Sequence, residues 1–298
     1  MIPDLFVTHP CAKKLLAEGK TKRIFETANN PHHVYVVSKS DITAGDGAKH
    51  DVIEGKAELA NNTACNVFRL LKANNIPSAF IAQIDPSLDS AFLAESCAML
   101  PYEVVVRREA HGSYLKRKPD IEKGFVFPDL LVEFFLKTSG KKWLERGYST
   151  AHELVCDDPL MDFNDDGSIG LYDPSKPFGV WAIPFLLLHQ SQVFFFNREK
   201  EFFAEMSQIA RKTFCVLEEA WKKQGGKLVD FKVEFGISAV SGNLVLSDVI
   251  DNDSWRVIED GVHLDKQVYR DGSSLSEVTE KYRRVAEITS RFLNPAGQ

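Results

Sequence analysis

The chain has 298 residues and a formal net charge of -6, with 44% hydrophobic and 26% charged residues. That length makes about two ordinary domains or one large one, and the composition excludes disorder, collagen and coiled coil. The mild acidic balance argues against general nucleic-acid binding, which wants a basic face.

Five cysteines, Cys11, Cys65, Cys97, Cys156 and Cys215, are odd in number and widely spaced, with no CxxC. Buried free thiols in a reducing compartment are the expectation, rather than a disulfide framework or a zinc knuckle. The N-terminal MIPDLFVTHP has neither a basic n-region nor an apolar h-region. No signal peptide is read there, and a cytoplasmic location is expected. The longest uncharged stretch, residues 177–197, contains Pro184, His189, Gln190, Ser191 and Gln192. It reads as a core segment, not a membrane span.

In chain order, Arg23-Ile24-Phe25 and Val34-Tyr35-Val36-Val37 are β-rich runs separated by a turn at Asn29-Asn30-Pro31. Residues 56–75 carry Leu59, Val67, Leu70 and Leu71 at helical spacing, and Asn75-Ile76-Pro77 stops the helix. Residues 103–108 predict a strand. Residues 138–180 are rich in Gly, Asp, Ser and Pro and predict an irregular connection or insertion. A second amphipathic helix is predicted over 198–223, with Phe202, Met206, Ile209, Phe214, Leu217 and Trp221 inward and Gly225-Gly226 ending it. A hairpin is predicted over 228–249. The last helix starts near Ser274, which has capping-box spacing to Glu277. The mixture indicates α+β or α/β.

The most informative segment is Leu228-Val229-Asp230-Phe231-Lys232-Val233-Glu234-Phe235-Gly236. Val229, Phe231, Val233 and Phe235 form one face; Asp230, Lys232 and Glu234 form the other. A half-exposed strand with a solvated polar face is the default reading. Two features point elsewhere. The polar face holds only ionisable groups, and the returning strand supplies Asp248 after the turn at Ser241-Gly242-Asn243. Two carboxylates brought together invite a hard cation such as Mg2+, taken with substrate phosphates.

Four other segments carry charge chemistry. Gly19 with Lys20 and Lys22 at a strand start suits phosphate contact. It is not a P-loop, because Lys14 stands where that motif needs its first glycine. Arg107 and Arg108 end a buried-looking strand and run into Gly112-Ser113 and Lys116-Arg117, a combination that binds phosphate or carboxylate or forms a cationic surface loop. Ala44-Gly45-Asp46-Gly47-Ala48 reads as a lid or a long turn. Asp253 with Arg256 suits an anionic or zwitterionic substrate, or a structural turn. Asp162, Asn164, Asp166, Gly167, Ser168 and Asp173 occupy EF-hand loop positions. Pro159 and Pro174 remove the flanking helices, so a solvated acidic turn is expected there.

Taken together, these segments resemble SAICAR synthetase. Gly19-Lys20 with Lys22, AGDGA (44–48), PYEVVVRREAHGS (101–113) and LVDFKVEFG (228–236) occur in family order, and the resemblance runs from about residue 15 to 293. SDVIDNDSWR (247–256) is closer to the animal-type sequence, and the chain leaves no length for an attached AIR carboxylase domain. The resemblance implies an α+β fold. An antiparallel-sheet, nucleotide-covering N-terminal domain (1–102) would pack on an ATP-grasp-like substrate and metal domain (103–298) with an extended segment near 138–197. It implies an ATP-dependent ligase of purine biosynthesis that condenses CAIR (carboxyaminoimidazole ribonucleotide) with L-aspartate, giving SAICAR, ADP and phosphate. No nucleic-acid or membrane partner is implied, and a homo-oligomer is compatible. By position, Gly19, Lys20 and Lys22 would cover the ATP phosphates, Met99 to Glu103 would hold adenine, and Lys137 would lie near the nucleotide. Glu234 and Asp248 would hold Mg2+, with Asp248 also at the nucleotide. Arg107, Ser113 and Arg256 would bind CAIR with Asp253 beside them, and Asp230 and Lys232 would be catalytic. Tyr102 and His111 depart from the family pattern, which has small residues there. Three other readings remain: a ligase with another acceptor, a kinase-like phosphotransferase, and a non-catalytic nucleotide binder. The chain has neither an HRD loop nor a DFG triplet, which argues against the kinase.

Overall fold

The computed structural model describes residues 12–44, 49–84, 90–138, 140–144, 151–179, 182–194 and 199–293. Cys11 and residues 45–48 of the AGDGA segment lie outside them. The chain forms two compact units that are interleaved in sequence. One comprises Met1–Met99, Cys215–Leu228 and Gly236–Gln298; the other comprises Leu100–Phe214 and Val229–Phe235. The resemblance implies a single cut at 102/103. The chain instead leaves the second unit after Phe214 and re-enters it for seven residues of one strand.

The first unit contains a five-stranded antiparallel sheet in the order Ala12–Glu18, Lys22–Thr27, His33–Ser38, Ala91–Glu95, Phe80–Gln83. Alternation fixes its buried side: Phe25, Val37 and Ala91 pack together, with Leu15, Tyr35 and Ile84 against them. The first predicted helix runs over Lys56–Ala73. Its inward Phe68 stacks on Phe80 at 5.4 Å between ring centroids. Asn74 caps it, and Asn75 turns the chain with φ 54°. The last helix, Leu275–Ser290, starts as expected: Ser274 and Glu277 form a reciprocal capping box. The end of the long helix Glu199–Lys223 sets Trp221 edge-on to Trp255 and Phe292, each at 5.3 Å.

The second unit is a sheet. Its strands lie in the order Leu186–His189, Ser168–Tyr172, Leu160–Phe163, Val126–Leu136, Cys97–Glu109, then the segment Val229–Phe235. The early part of the long helix covers it with Met206, Ala210 and Phe214, and Phe214 meets Phe231 edge-on at 5.4 Å.

Two expectations are corrected. Residues 138–180 are not an irregular connection. They hold the hairpins Lys142–Leu144 with Ala151–Glu153 and Leu160–Phe163 with Ser168–Tyr172, and the second extends the sheet by pairing with Val126–Leu136. Of the EF-hand-like residues, Asn164, Asp166 and Gly167 form the turn of that second hairpin, Asp162 and Ser168 lie on its strands, and Asp173 follows it. Asp166 Oδ1 accepts from the Ser168 N–H at 2.8 Å, an Asx turn that closes the strands. The thiols are not all buried: Cys65 is buried, Cys97 and Cys156 are half-buried, and Cys215 is exposed. Cys215 follows buried Phe214 on the helix and falls on its outer side. Among the described residues, no helix is long and apolar enough to cross a membrane.

Candidate active site

Strict alternation in Val229–Phe235 sends Asp230, Lys232 and Glu234 to one side of the sheet. The half-exposed reading of this strand is not what forms. Asp230 and Glu234 are only 4% and 3% exposed. A polar face buried this deeply requires partners, because an unpaired charge in the interior costs several kcal/mol. The neighbouring strands supply them. Antiparallel register sets Val105 opposite Glu133 and Arg107 opposite Leu131, so the odd-numbered residues of both strands share one face.

Lys232 Nζ donates to Glu234 Oε1 at 2.7 Å and to Glu103 Oε1 at 3.1 Å. Lys137 donates to the other oxygen of Glu234. Farther along the same face, Arg107 donates from Nη1 to Asp230 at 2.7 Å and from Nε to Glu133 at 2.8 Å. Arg117, itself buried, donates to the second oxygen of Glu133 and, at 3.4 Å, to Ser113 Oγ. Ser113 also accepts from Arg107 Nη2 at 3.5 Å. It opens the short helix Ser113–Arg117 after Gly112, whose φ of 59° with ψ of -130° suits only glycine. Four cations and four carboxylates thus line this face in two charge-balanced groups, one around Lys232 and Glu234 and one around Arg107 and Glu133.

These pairings set protonation states. Burial disfavours charge on Glu234, but Lys232 and Lys137 outweigh it and lower its pKa from 4.5 to about 2. Burial likewise opposes the Lys232 ammonium, and Glu234 and Glu103 reverse that and raise its pKa. Arg107 is held protonated against burial by Asp230 and Glu133.

In the first unit, Gly19 lies in the turn between Ala12–Glu18 and Lys22–Thr27, and its N–H donates to Lys22 O at 2.9 Å. Lys20 is exposed there. Lys22 pairs with Asp248. Asp248 lies beyond the strand Leu244–Leu246, not on it, because its Oδ1 accepts the N–H of Val249 at 2.8 Å and turns the chain. Asp253 Oδ1 accepts from the Tyr282 hydroxyl at 2.8 Å, and its Oδ2 faces Lys56 Nζ at 3.4 Å. Burial opposes ionisation of Asp253, yet Lys56 and Lys266 lower its pKa to about 2. Arg256 lies half-buried on the strand Trp255–Glu259.

Of the residues singled out in sequence, Glu103, Arg107, Ser113, Lys137, Asp230, Lys232 and Glu234 come together in the second unit. Gly19, Lys20, Lys22, Met99, Asp248, Asp253 and Arg256 belong to the first. Met99 is 49% exposed. Sequence reasoning missed Glu133, Lys56, Lys266 and Tyr282, and read Arg117 as an anion binder or a surface cation rather than as the buried partner of Glu133. A lone glutamate among Leu131, Val132, Phe134 and Phe135 was the available signal for Glu133. The departure at Tyr102 has a local reason: its buried hydroxyl donates to Glu199, tying the strand to the long helix. His111 is also buried, 3.4 Å from Glu109.

Among the described residues, no three His, Cys, Asp or Glu side chains cluster as a metal site. Glu234 nonetheless offers a carboxylate that its two lysines hold ionised, a hard oxygen donor. That chemistry fits Mg2+, which takes one or two protein carboxylates and completes its shell with water and phosphate oxygens.

A family model described as SAICAR synthetase matches residues 15–144 and 187–289. The unmatched residues between hold the hairpin that extends the sheet. The chain is 37% identical over 286 residues to a phosphoribosylaminoimidazole-succinocarboxamide synthase of Chloroflexus aurantiacus, covering 93% of this chain and 96% of that one. It is 34% identical over 287 residues to a probable multifunctional protein ADE2 of Caenorhabditis elegans, covering 94% of this chain but only 59% of that relative. A solved SAICAR synthetase (Type-2) in complex with ADP superposes with a TM-score of 0.66 at 27% identity, covering 92% of this chain and 97% of that one. The chain belongs to the SAICAR synthetase family.

Proposed function

We propose that this chain condenses CAIR with L-aspartate at the expense of ATP, releasing SAICAR, ADP and phosphate. The observation that carries the reading is the Lys232 ammonium clamped between Glu103 and Glu234 on the same face as the Arg107–Asp230 pair. The family match and the ADP complex of a relative support nucleotide use.

A carboxylate does not acylate an amine in neutral water, because oxide is not a competent leaving group. Phosphorylation supplies one. The CAIR carboxylate attacks the γ-phosphorus of ATP, and ADP leaves. The aspartate amine then attacks the acyl phosphate, and phosphate leaves with the C–O bond pair. Lys232, kept protonated by its two glutamates, sits against the negative charge that gathers as carboxylate and phosphoryl group meet. Lys20 and Lys22 bind the phosphates, Met99 to Glu103 hold the adenine, and Lys137 lies beside the nucleotide. Arg107, Ser113, Asp253 and Arg256 orient CAIR. Asp230, itself oriented by Arg107, accepts the amine proton. Glu234 and Asp248 would hold Mg2+, which would supply neutralisation of phosphoryl charge. Most of the acceleration comes from positioning and preorganised charge. The free thiols Cys65, Cys97, Cys156 and Cys215 support a reducing, cytoplasmic location.

The test is ADP release with ATP, Mg2+ and CAIR, with and without L-aspartate, followed by mass analysis of the product. ADP formed only with both co-substrates, together with the mass of SAICAR, is the expected result. Folded, ATP-binding protein that shows no aspartate-dependent ADP overturns the reading.

A further inference from the structure

Asp253 is held by side chains from three separate parts of the first unit. Lys56 is the first residue of the helix Lys56–Ala73, and its Nζ faces Asp253 Oδ2 at 3.4 Å. Tyr282 lies on the helix Leu275–Ser290 and donates its hydroxyl to Oδ1 at 2.8 Å. Lys266 precedes a short helix and places its Nζ 3.5 Å from the same Oδ1. The backbone closes the turn from the inside: the Asp253 N–H donates to Asp251 Oδ1 at 2.9 Å, and the Asp251 N–H donates to Ser254 Oγ at 2.8 Å. Lys56 is 1% exposed, and its ammonium also lies 5.2 Å from the centroid of the Tyr282 ring.

An ion pair buried this deeply adds little net stability, because desolvation offsets the attraction. What two ammonium groups and a hydroxyl do provide is a fixed direction. They engage both carboxylate oxygens, Tyr282 and Lys266 at Oδ1 and Lys56 at Oδ2, and 13% of the Asp253 side chain remains exposed. That remaining surface is what the residue can offer a ligand.

We propose that Lys56, Lys266 and Tyr282 are positioning residues that set the Asp253 carboxylate for CAIR without touching CAIR themselves. The inference rests on the reading of Asp253 as a CAIR contact given above. It extends the substrate site to two helices whose sequences carry no recognisable motif for it.

Tyr282→Phe is the principal test. It keeps the ring, its packing and its place beside Lys56, and removes one hydroxyl. Losing a hydrogen bond to a charged group corresponds to about a tenfold change. The expected result is a KM for CAIR raised by about that factor, with kcat and the KM for ATP within twofold of the parent. Lys56→Met is expected to do the same more strongly, and Lys56→Arg to restore part of the loss. Should Lys56→Met fail to fold, Tyr282→Phe and Lys56→Arg carry the test. Parent and Tyr282→Phe proteins are also titrated calorimetrically with CAIR alone. A lowered melting temperature with unchanged CAIR affinity and KM would make the cluster structural only and overturn the proposal. A parent that binds CAIR but forms no SAICAR overturns the proposed reaction and leaves the affinity comparison to decide this inference. A parent that binds no CAIR overturns both.

Discussion

Lys232 and Glu234 stand two residues apart on one strand face, and the ammonium of the first donates to the carboxylate of the second at 2.7 Å. Each also has a partner from elsewhere in the sheet: Glu103 for Lys232, Lys137 for Glu234. The strand therefore presents a cation whose charge is fixed and whose position is braced from both sides. Lys232→Ala is expected to lower turnover by about a hundredfold or more, the range seen when one preorganised donor to developing charge is removed. Circular dichroism should still show a folded protein. Near-normal aspartate-dependent ADP release from the variant would sink the catalytic assignment of Lys232.

The same arrangement predicts the acid limb of stability. The folded pKa of Glu234 is lowered to about 2 from an ordinary 4.5, so its stabilisation is fully present above 4.5 and is lost as pH falls toward 2. Thermal melts between pH 2 and 7 should show the native protein losing stability through that window. Glu234→Gln should melt lower near neutrality, because Lys232 and Lys137 lose their counter-charge, and should change less steeply below pH 4.5. Asp253, lowered to about 2 as well, keeps some slope in both proteins. Parallel curves for the two proteins would mean that Glu234 is not held ionised by its lysines.

What the sequence revealed was local, and what it hid was long-range. The start at Ser274 and the stop at Asn75 were readable because caps act within a few residues of themselves. The alternation in 229–235 was readable for the same reason. Its burial was not, because Glu103, Glu133 and Lys137 arrive from strands about a hundred residues earlier, and no spacing rule connects them. The hairpins within 138–180 were missed for another reason. Their strands are three to five residues long, too short to display a period of two, and the turn residues between them dominate the composition. Asp253 stood out for its neighbour Arg256, yet its partners Lys56 and Tyr282 lie on two helices legible only from apolar spacing in one and a capping box in the other.

Gly236 closes the LVDFKVEFG segment for lack of room. A Cβ there would lie 2.8 Å from Cys97 Cβ, 2.9 Å from Ser247 Oγ and 3.2 Å from Ala98 O. The backbone passes too close for any side chain, so Gly236→Ala is an overpacking change and is expected to cost roughly 1–3 kcal/mol. Urea unfolding followed by tryptophan fluorescence measures it. An unchanged midpoint would show that the strands separate at no cost and that the glycine has no steric role.

Arg107 joins two acids and a hydroxyl through one guanidinium: Asp230 through Nη1, Glu133 through Nε and, at 3.5 Å, Ser113 through Nη2. Lysine keeps the charge but has a single ammonium and no planar fork, so it cannot satisfy all three. In Arg107→Lys, whichever carboxylate loses its donor stays in the sheet interior, where breaking one side of a buried pair costs about 3–5 kcal/mol. The melting temperature should therefore fall even though net charge is unchanged. Because Arg107 also orients Asp230 and Ser113, the KM for CAIR should rise and kcat should drop, while the KM for ATP, assigned to other residues, should hold. A variant with native stability and unaltered CAIR kinetics would show that charge alone suffices at this position, and the fork geometry would then have no part in the site.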